Sequence, residues 1–349
     1  MQRVIFSSDL KKDVEAAVSL CEHDRIFILT DSTTVDLCLP LLTGIDCLKG
    51  AHSITIPAGD INKNLDSVCL IWQQLQAKGA TRHSLLVNVG GGMVTDLGGF
   101  AASCFKRGIN FINLPTTLLA MTDASVGGKT GINFGSLKNE IGVFNDSKYV
   151  ILSTDFLCTL DAHNMLSGYA EMLKHGLISN EKMWAELVNF DISRPDMQQL
   201  SRMLTDSVKV KERIVSDDPH EQGIRKALNV GHTIGHAMES WAMRHGRPIL
   251  HGYAVAFGMI AELYLSATKM NFPTDKMRQT VRYIRENYGT LGITCHDYDE
   301  LIELMTHDKK NSAGEINFTL LYNIGGIKIN QNATEEEIKE ALDFFRDAL

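Results

Sequence analysis

The sequence lacks several features that mark particular classes of protein. None of its 349 residues falls in an apolar run of about 18 residues, so we predict no membrane span. Its first ten residues show no basic segment followed by an apolar run, so no secretory signal is expected. Acidic residues (42) outnumber basic ones (34), and the formal net charge of −8 disfavours binding to nucleic acid. We therefore expect a cytoplasmic protein that binds neither membranes nor nucleic acid.

Clustered cysteines are absent as well. The chain contains no Cys-x-x-Cys pair, and its seven cysteines are scattered at positions 21, 38, 47, 69, 104, 158 and 295. A disulfide framework or a thiolate metal site would need closer clustering. The pattern predicts free, buried thiols in a reducing compartment.

Two kinds of hydrophobic pattern divide the chain near residue 158. Before that point, short apolar strand patterns alternate with helical patterns, which is typical of a mostly parallel sheet covered by helices. The strand patterns cover 25–30, 84–89 and 110–114, and the helical ones 64–78 and 93–105. Long helical patterns then cover 165–178, 196–215, 227–244, 252–270 and 334–349. We predict an α/β N-terminal nucleotide-binding domain over 1–158 and an α-helical metal-binding domain over 159–349.

Three consecutive glycines, Gly90–Gly92, stand where a predicted strand ends and a helix begins. Such a turn could hold a phosphate against free N–H groups or be only a tight turn, and it is not the G-x-G-x-x-G fingerprint. Asp31 follows another predicted strand, where its carboxylate could accept hydrogen bonds from a ribose or cap the next helix. Thr116 and Thr117 end a third strand at the same predicted edge, where they could face a ligand or cap a turn.

A zinc-type set of side chains occurs in the second half of the chain. His232 and His236 lie four residues apart on one face of a predicted helix, and His251 precedes another helix. Together with Glu171 they could bind a metal and leave one position open for substrate or water. The spacing leaves the ligands open, because Glu171 could instead pair with His175, or His236 with Glu239, on the same helix.

Several cations lie beside glycines or near the predicted metal site. Lys129 lies in a glycine-rich segment predicted as a loop, and Lys211 and Arg225 bracket an acidic turn. Any one of them could be a solvated surface charge, but together they indicate a substrate that carries phosphate and carboxylate. Asn229 lies two turns before His236 on the same predicted helix face. The remaining candidates are Arg107, Lys309 and Lys310.

Four segments resemble 3-dehydroquinate synthases. The longest is GGGMVTDLGGFAASCFKRGINFINLPTTLLAMTDASVGGKTGIN at 90–133, and the others are GYAEMLKH at 168–175, GIRKALNVGHTIGHAMES at 223–240 and LHG at 250–252. The similarity covers nearly the whole chain in the same order. It implies a dehydroquinate synthase-like fold, NAD as cofactor and one divalent metal, zinc or cobalt.

The resemblance also implies roles for individual residues. The implied metal ligands are Glu171, His232 and His251. The implied substrate-binding residues are Asp123, Lys129, Asn139, Lys174, Lys211, Arg225, Asn229, His236 and one of Lys309 or Lys310. The implied NAD-binding residues are Asp31, Asp60, Lys63, Gly91, Gly92, Asp96, Thr116, Thr117, Lys129 and Thr159. Arg107 matches a residue that reaches the substrate phosphate from the neighbouring subunit, which implies a homodimer.

Two departures from the family pattern are visible. Asp60 stands where the family usually has Glu, which shortens the reach towards the ribose. Residues 161–164, with the sequence DAHN, replace a more usual Pro-x-Arg-Glu at the start of a helix. Neither departure removes a metal ligand or a catalytic position.

The activity implied by the resemblance is the conversion of 3-deoxy-arabino-heptulosonate 7-phosphate into 3-dehydroquinate and phosphate, a step of the shikimate pathway. The family does this through transient oxidation by NAD, β-elimination, reduction and intramolecular aldol closure. Catalytic roles are expected for Lys129, Lys174, Arg225 and His236. The alternatives are a related sugar-phosphate cyclase, a metal- and NAD-dependent polyol dehydrogenase, and a non-catalytic binding protein.

Overall fold

The computed structural model describes residues 2–135, 137–306 and 316–347, with only the backbone of Leu137. The chain forms two compact units, Met1–Asp161 and Ala162–Leu349. Lys309 and Lys310 lie outside the described residues, so their predicted roles stay predictions. No helix in the described ranges has both the length and the apolar character needed to cross a membrane.

The N-terminal unit contains a parallel sheet. Its strands, in chain order, are β1 (Arg3–Phe6), β2 (Ile26–Asp31), β3 (His52–Ile56), β4 (Leu85–Gly90), β5 (Asn110–Pro115), β6 (Lys129–Phe134), β7 (Leu137–Phe144) and β8 (Tyr149–Leu152). Six of them form one sheet in the order β1-β8-β5-β4-β2-β3, and all neighbours in it are parallel. The central strands β2 and β4 are buried along their whole length, as expected of a sheet covered on both faces. The predicted mostly parallel sheet is confirmed.

The described part of this unit also contains four α-helices, a hairpin and several short 3₁₀ or π-helical turns. The helices are α1 (Leu10–Ser19), α2 (Thr34–Leu37), α3 (Leu65–Ala77) and α4 (Gly92–Cys104). The β6–β7 hairpin is antiparallel, and Lys129 is the first residue of β6. The prediction of a loop at Lys129 is therefore wrong, because its segment enters a strand that pairs with β7.

The C-terminal unit is mainly helical. Its helices are α5 (Ala162–Ser179), α6 (Glu181–Val188), α7 (Met197–Asp217), α8 (His232–Arg244), α9 (His251–Met270), α10 (Thr274–Tyr288), α11 (Tyr298–Thr306) and α12 (Glu335–Asp347). An antiparallel hairpin is formed by β9 (Asn317–Asn323) and β10 (Gly326–Asn332). Helix α9 is buried over most of its length and packs against α5, α8, α10, α12 and β9. The first turn of α8 is buried, and the first turn of α9 is partly buried.

The predicted helix over 227–244 is wrong in its first turns. A 3₁₀ helix spans Ile224–Asn229, Gly231 has a φ of +79°, and α8 begins only at His232. Because the left-handed conformation of Gly231 breaks the helix, Asn229 does not share a helix face with His236. The side chain of Asn229 instead donates to Glu221 Oε1 at 2.9 Å.

The seven cysteines are free, as predicted. The prediction that they are buried holds for Cys21 and Cys38 but is wrong for Cys104, Cys158 and Cys295, which are exposed. The three exposed residues lie at the end of α4 or in short 3₁₀ helices, where the side chain faces solvent.

One buried hydrogen bond in the helical unit gives a testable contribution to stability. Trp184 Nε1 donates to Thr280 Oγ1 at 2.9 Å, and both residues are buried. We expect Thr280→Val to lower the free energy of unfolding by about 1–3 kcal/mol, because the indole N–H loses its acceptor. Thr268→Val is the control, since Thr268 is exposed and should change stability by less than about 0.5 kcal/mol. Equal effects of the two substitutions in urea unfolding would contradict this expectation.

Candidate active site

Three helices of the C-terminal unit bring together the predicted metal ligands. Glu171 lies on α5, His232 begins α8 and His251 begins α9. Glu171 Oε1 lies 3.5 Å from His232 Nε2 and 3.6 Å from His251 Nε2. This oxygen is buried and accepts no hydrogen bond from any described residue. A buried oxygen of this kind beside two imidazole nitrogens fits a divalent metal ion with mixed N and O ligands.

His236 lies beside the same group. Its ring centroid is 5.2 Å from that of His232 and 5.6 Å from that of His251, and ligand atoms of the three histidines lie within 4.8 Å of one another. His236 is half-buried. A third imidazole is therefore available next to the candidate ligands, either to bind the ion or to exchange a proton with a bound substrate.

Outer partners orient the two imidazoles. Glu239 Oε2 lies 3.3 Å from His251 Nδ1, and the carbonyl oxygen of Val230 lies 3.1 Å from His232 Nδ1. Such bonds hold Nδ1 as the donor and turn Nε2 towards a metal ion. The sequence suggested Glu239 as a possible partner of His236, and the structure shows it in contact with His251.

A close contact between helices places His251 next to α5. The backbone N–H of Gly252 donates to Ser167 Oγ at 3.1 Å. A Cβ atom at Gly252 would lie only 1.8 Å from the carbonyl oxygen of Ser167, so glycine alone allows this approach. The result is that the first residue of α9 faces the helix that carries Glu171.

The charges of this site depend strongly on burial and on the neighbouring groups. Burial opposes ionisation of Glu171, but the Lys174 ammonium and His232 hold the pKa of its carboxyl well below the ordinary value. Burial and Lys174 lower the pKa of His232 to about 3, which leaves its imidazole neutral at pH 7. Burial opposes protonation of His251 too, yet Glu171 and Glu239 raise its pKa to about 10. A metal ion would therefore bind His232 directly but would displace a proton from His251.

Among the described residues of this unit, three cations are buried, namely Lys174, Lys211 and Arg225. Lys174 forms an ion pair with Glu171. Asp218 binds the backbone of this segment: its Oδ2 accepts hydrogen bonds from the N–H of Gly223 at 2.6 Å and from the N–H of Arg225 at 3.0 Å. Buried lysine and arginine side chains can bind the oxygens of an anionic ligand through charge-assisted hydrogen bonds.

In the N-terminal unit, the predicted glycine turn and threonines lie side by side. Gly90 ends β4 opposite Pro115 of β5, and Thr116 N donates to the carbonyl oxygen of Gly90 at 3.0 Å. A Cβ at Gly91 would lie 3.1 Å from Cγ2 of Thr117. Helix α4 begins directly after this turn, so its N-terminal N–H groups lie at the carboxyl edge of the sheet, where anions bind.

Asp31 has the capping role that the sequence offered as one of two interpretations. Its Oδ1 accepts hydrogen bonds from the backbone N–H groups of Thr33 and Thr34, both at 2.8 Å. Both hydrogen bonds involve Oδ1, so they do not conflict with binding of a ribose by Asp31, and that interpretation stays a prediction.

Lys63 forms hydrogen bonds with one residue that was predicted to bind NAD and with one that was predicted to bind substrate. Its Nζ lies 2.6 Å from Asp96 Oδ2 and 2.5 Å from Asn139 Oδ1, and its side chain is buried. Asn133 N donates to the carbonyl oxygen of Lys63 at 2.8 Å, which fixes the β6–β7 hairpin to the turn that also contains Asp60. The structure thus groups Lys63 and Asp96, predicted to bind NAD, with Asn139, predicted to bind substrate.

Other predicted residues occupy separate positions within the N-terminal unit. Lys129 is exposed, and Arg107 is exposed with a φ of +70° in a 3₁₀ turn after α4. Asp123 lies in a π-helical turn at 120–124, and the hydroxyl of Thr159 donates to a carbonyl of its own 3₁₀ helix. Their ligand-binding roles stay predictions.

Comparison with known proteins gives consistent results over nearly the whole chain. Residues 53–167 match the family model for the 3-dehydroquinate synthase N-terminal domain, and residues 168–311 match the model for the C-terminal domain. A 3-dehydroquinate synthase of Parabacteroides distasonis is 54% identical over 347 residues, covering 99% of this chain and 98% of the relative.

Solved structures with similar folds include two synthases. A 2-deoxy-scyllo-inosose synthase in complex with carbaglucose-6-phosphate, NAD⁺ and Co²⁺ is 26% identical, with a TM-score of 0.84, and the match covers 100% of this chain and 96% of that one. A 2-epi-5-epi-valiolone synthase of Streptomyces hygroscopicus, with NAD⁺ and Zn²⁺, is 24% identical, with a TM-score of 0.86 and coverage of 99% and 96%. The second likeness concerns the fold alone.

Proposed function

The chain belongs to the 3-dehydroquinate synthase family, and we propose that it converts 3-deoxy-arabino-heptulosonate 7-phosphate into 3-dehydroquinate and inorganic phosphate. The observation that carries this proposal is the buried Glu171 oxygen beside His232 and His251. Buried cations in the same unit supply the positive charge that an anionic substrate requires.

Glu171, His232 and His251 would hold one divalent metal ion, and zinc or cobalt would suit two imidazoles and a carboxylate. Bound there, the ion would polarise the substrate hydroxyl that is oxidised. Lys174 keeps Glu171 ionised, and Glu239 orients His251, so the ligand set is arranged before an ion arrives. The cobalt in the 2-deoxy-scyllo-inosose synthase structure supports a divalent metal as cofactor.

The carboxyl edge of the parallel sheet would bind NAD. Bound there, NAD would supply reversible hydride transfer without net formation of NADH. The turn of Gly91 and Gly92 at the start of α4 would hold the pyrophosphate, and Asp31 would bind a ribose. The other residues that we assign to NAD are Asp60, Lys63, Asp96, Thr116, Thr117, Lys129 and Thr159.

The polar side chains would bind and orient the substrate. Arg225 can hold a carboxylate through two parallel N–H bonds, and Lys174 and Lys211 can each bind one anionic oxygen. In the β-elimination, the C–H bond next to the ketone would break, its proton would pass to the departing phosphate, and these cations would stabilise the charge that develops. His236 can accept a proton and return it, and the final carbon–carbon bond then requires mainly correct orientation. Asp123, Asn139, Asn229 and one of Lys309 or Lys310 complete the proposed substrate set, and Arg107 would act across a homodimer interface.

Two lysines of α7 provide a matched test of substrate binding. Lys211 is buried, whereas the side chain of Lys209 is 62% exposed. We expect Lys211→Met to lower kcat/KM roughly 10–100-fold, because a hydrogen bond to a charged group contributes roughly 1.5–3 kcal/mol. Lys209→Met should leave kcat/KM unchanged. The same loss in both variants would count against a specific role for Lys211.

The experiment that tests the proposed function follows phosphate release from the seven-carbon substrate, with NAD and metal present, and identifies the organic product. Equal amounts of phosphate and 3-dehydroquinate, without net NADH, are expected. Net NADH without phosphate would indicate a polyol dehydrogenase. If protein that holds metal and NAD does not turn over this substrate, a cyclase for another sugar phosphate is indicated. The 2-deoxy-scyllo-inosose synthase structure contains a ligand of that class, carbaglucose-6-phosphate.

A further inference from the structure

A buried carboxylate from α9 binds the start of α8. Glu262 lies in the middle of α9 and is 1% exposed. Its Oε2 accepts a hydrogen bond from the backbone N–H of Gly231 at 2.6 Å, and its Oε1 accepts one from the N–H of Ile234 at 3.0 Å. Both amides belong to the first turn of α8 and its N-cap, so a single side chain binds two of the groups that a helix start leaves unsatisfied.

These two bonds are the ones that a capping box makes locally. In a capping box, the N-cap side chain accepts from the N–H three residues later, and the side chain at that later position accepts from the N-cap N–H. Here the N-cap is Gly231, which has no side chain, and the residue three positions later is Ile234, which is apolar. Glu262 therefore replaces both missing acceptors, and the positive end of the α8 dipole stabilises its carboxylate.

The same contact fixes two metal ligands relative to each other. His232 is the first residue of α8 and lies between the two amides that Glu262 binds, whereas His251 begins the helix that carries Glu262. Building on the proposed function, we propose that Glu262 is a positioning residue that sets where α8 begins against α9 and so holds His232 in place to bind the metal together with Glu171 and His251.

The substitution Glu262→Gln tests this role, because the amide is isosteric but presents one N–H₂ group towards a backbone N–H. The affinities for Zn²⁺ and Co²⁺ are measured by competition with a chromophoric chelator, and the visible spectrum of the Co²⁺-loaded protein is recorded. We expect a roughly 10–100-fold loss of affinity, as for other groups that support metal ligands, and an altered cobalt spectrum. Wild-type affinity and a wild-type spectrum in E262Q would overturn the proposal.

Ser266→Ala is the matched control for a general loss of stability. Ser266 is also buried on α9, one turn after Glu262, but its hydroxyl bonds the carbonyl oxygen of Glu262 and the N–H of Leu321 and not α8. We expect S266A to lower the Tm while its metal affinity stays within twofold of wild type. If S266A loses as much metal affinity as E262Q, the role of Glu262 is general structural stability and not the positioning of a ligand.

If E262Q does not fold, Glu262→Asp is measured in the same way. Failure of both Glu262 variants to fold, while S266A folds, would overturn the proposal. Metal affinity is measured independently of phosphate release, so failure of this inference and failure of the proposed reaction are distinguishable.

Discussion

Replacing His232 by alanine is expected to abolish metal retention and turnover together. His232 Nε2 is one of the two imidazole nitrogens beside Glu171 Oε1, and the substitution leaves only Glu171 and His251 of the proposed ligands. Loss of an outer partner alone typically costs about 10–100-fold in metal affinity, so loss of a ligand should cost more than about 100-fold. Without the ion, the rate should fall by on the order of a thousandfold, because polarisation by a metal contributes several kcal/mol.

The measurement is the metal content after gel filtration, together with phosphate release from the same sample. His245→Ala is the control, because His245 lies at the other end of α8, where its Nδ1 contacts the carbonyl oxygen of Trp241 at 2.9 Å. That variant should keep its metal. A fully active His232→Ala protein would contradict the ligand assignment. A protein that holds metal but is inactive would show that His232 is needed for the reaction of the substrate and not for metal binding.

The substitution Gly258→Ala is expected to damage both stability and metal binding. A Cβ at Gly258 would lie 2.1 Å from the carbonyl oxygen of Gly231 and 2.6 Å from the N atom of Gly235, both of which are backbone atoms of the segment that starts α8. Because backbone cannot move aside as a side-chain end can, α8 and α9 must separate. We expect the free energy of unfolding to fall by about 3 kcal/mol, the upper part of the usual range for overpacking. Since His232 and His251 lie on these two helices, metal affinity should fall with it.

Gly292→Ala provides the control in the same unit. A Cβ at Gly292 would meet no atom within 4 Å. Its free energy of unfolding should rise by about 0.4–1 kcal/mol or stay unchanged, because alanine reduces the entropy of the unfolded chain. Urea unfolding of metal-free protein and chelator competition measure the two effects. A Gly258→Ala protein as stable as Gly292→Ala would show that α8 and α9 tolerate a wider spacing.

The elements predicted best are those whose patterns are strictly local. The helix expected over 93–105 is Gly92–Cys104, and the strand expected over 84–89 is Leu85–Gly90. Periodicity within one segment is enough to define such elements. The helix expected over 227–244 failed at its start because its apolar spacing continues through Gly231, while the backbone there is left-handed. The β6–β7 hairpin was missed because its glycines are typical of loops and only pairing with the opposite strand makes it a hairpin.

The sequence by itself determined the family and the mostly parallel sheet and indicated candidate metal ligands, since each depends on residue type and on spacing along the chain. Only the tertiary structure decided which of these groups meet: Glu171 lies between His232 and His251, Glu239 contacts His251, and Glu262 caps α8. The physical reason is that spacing along a helix specifies neighbours three or four residues apart, whereas these contacts join different helices. Their geometry depends on how closely α5, α8 and α9 pack. Glycines at the contacts permit this close packing, but the sequence alone does not show which helices those glycines contact.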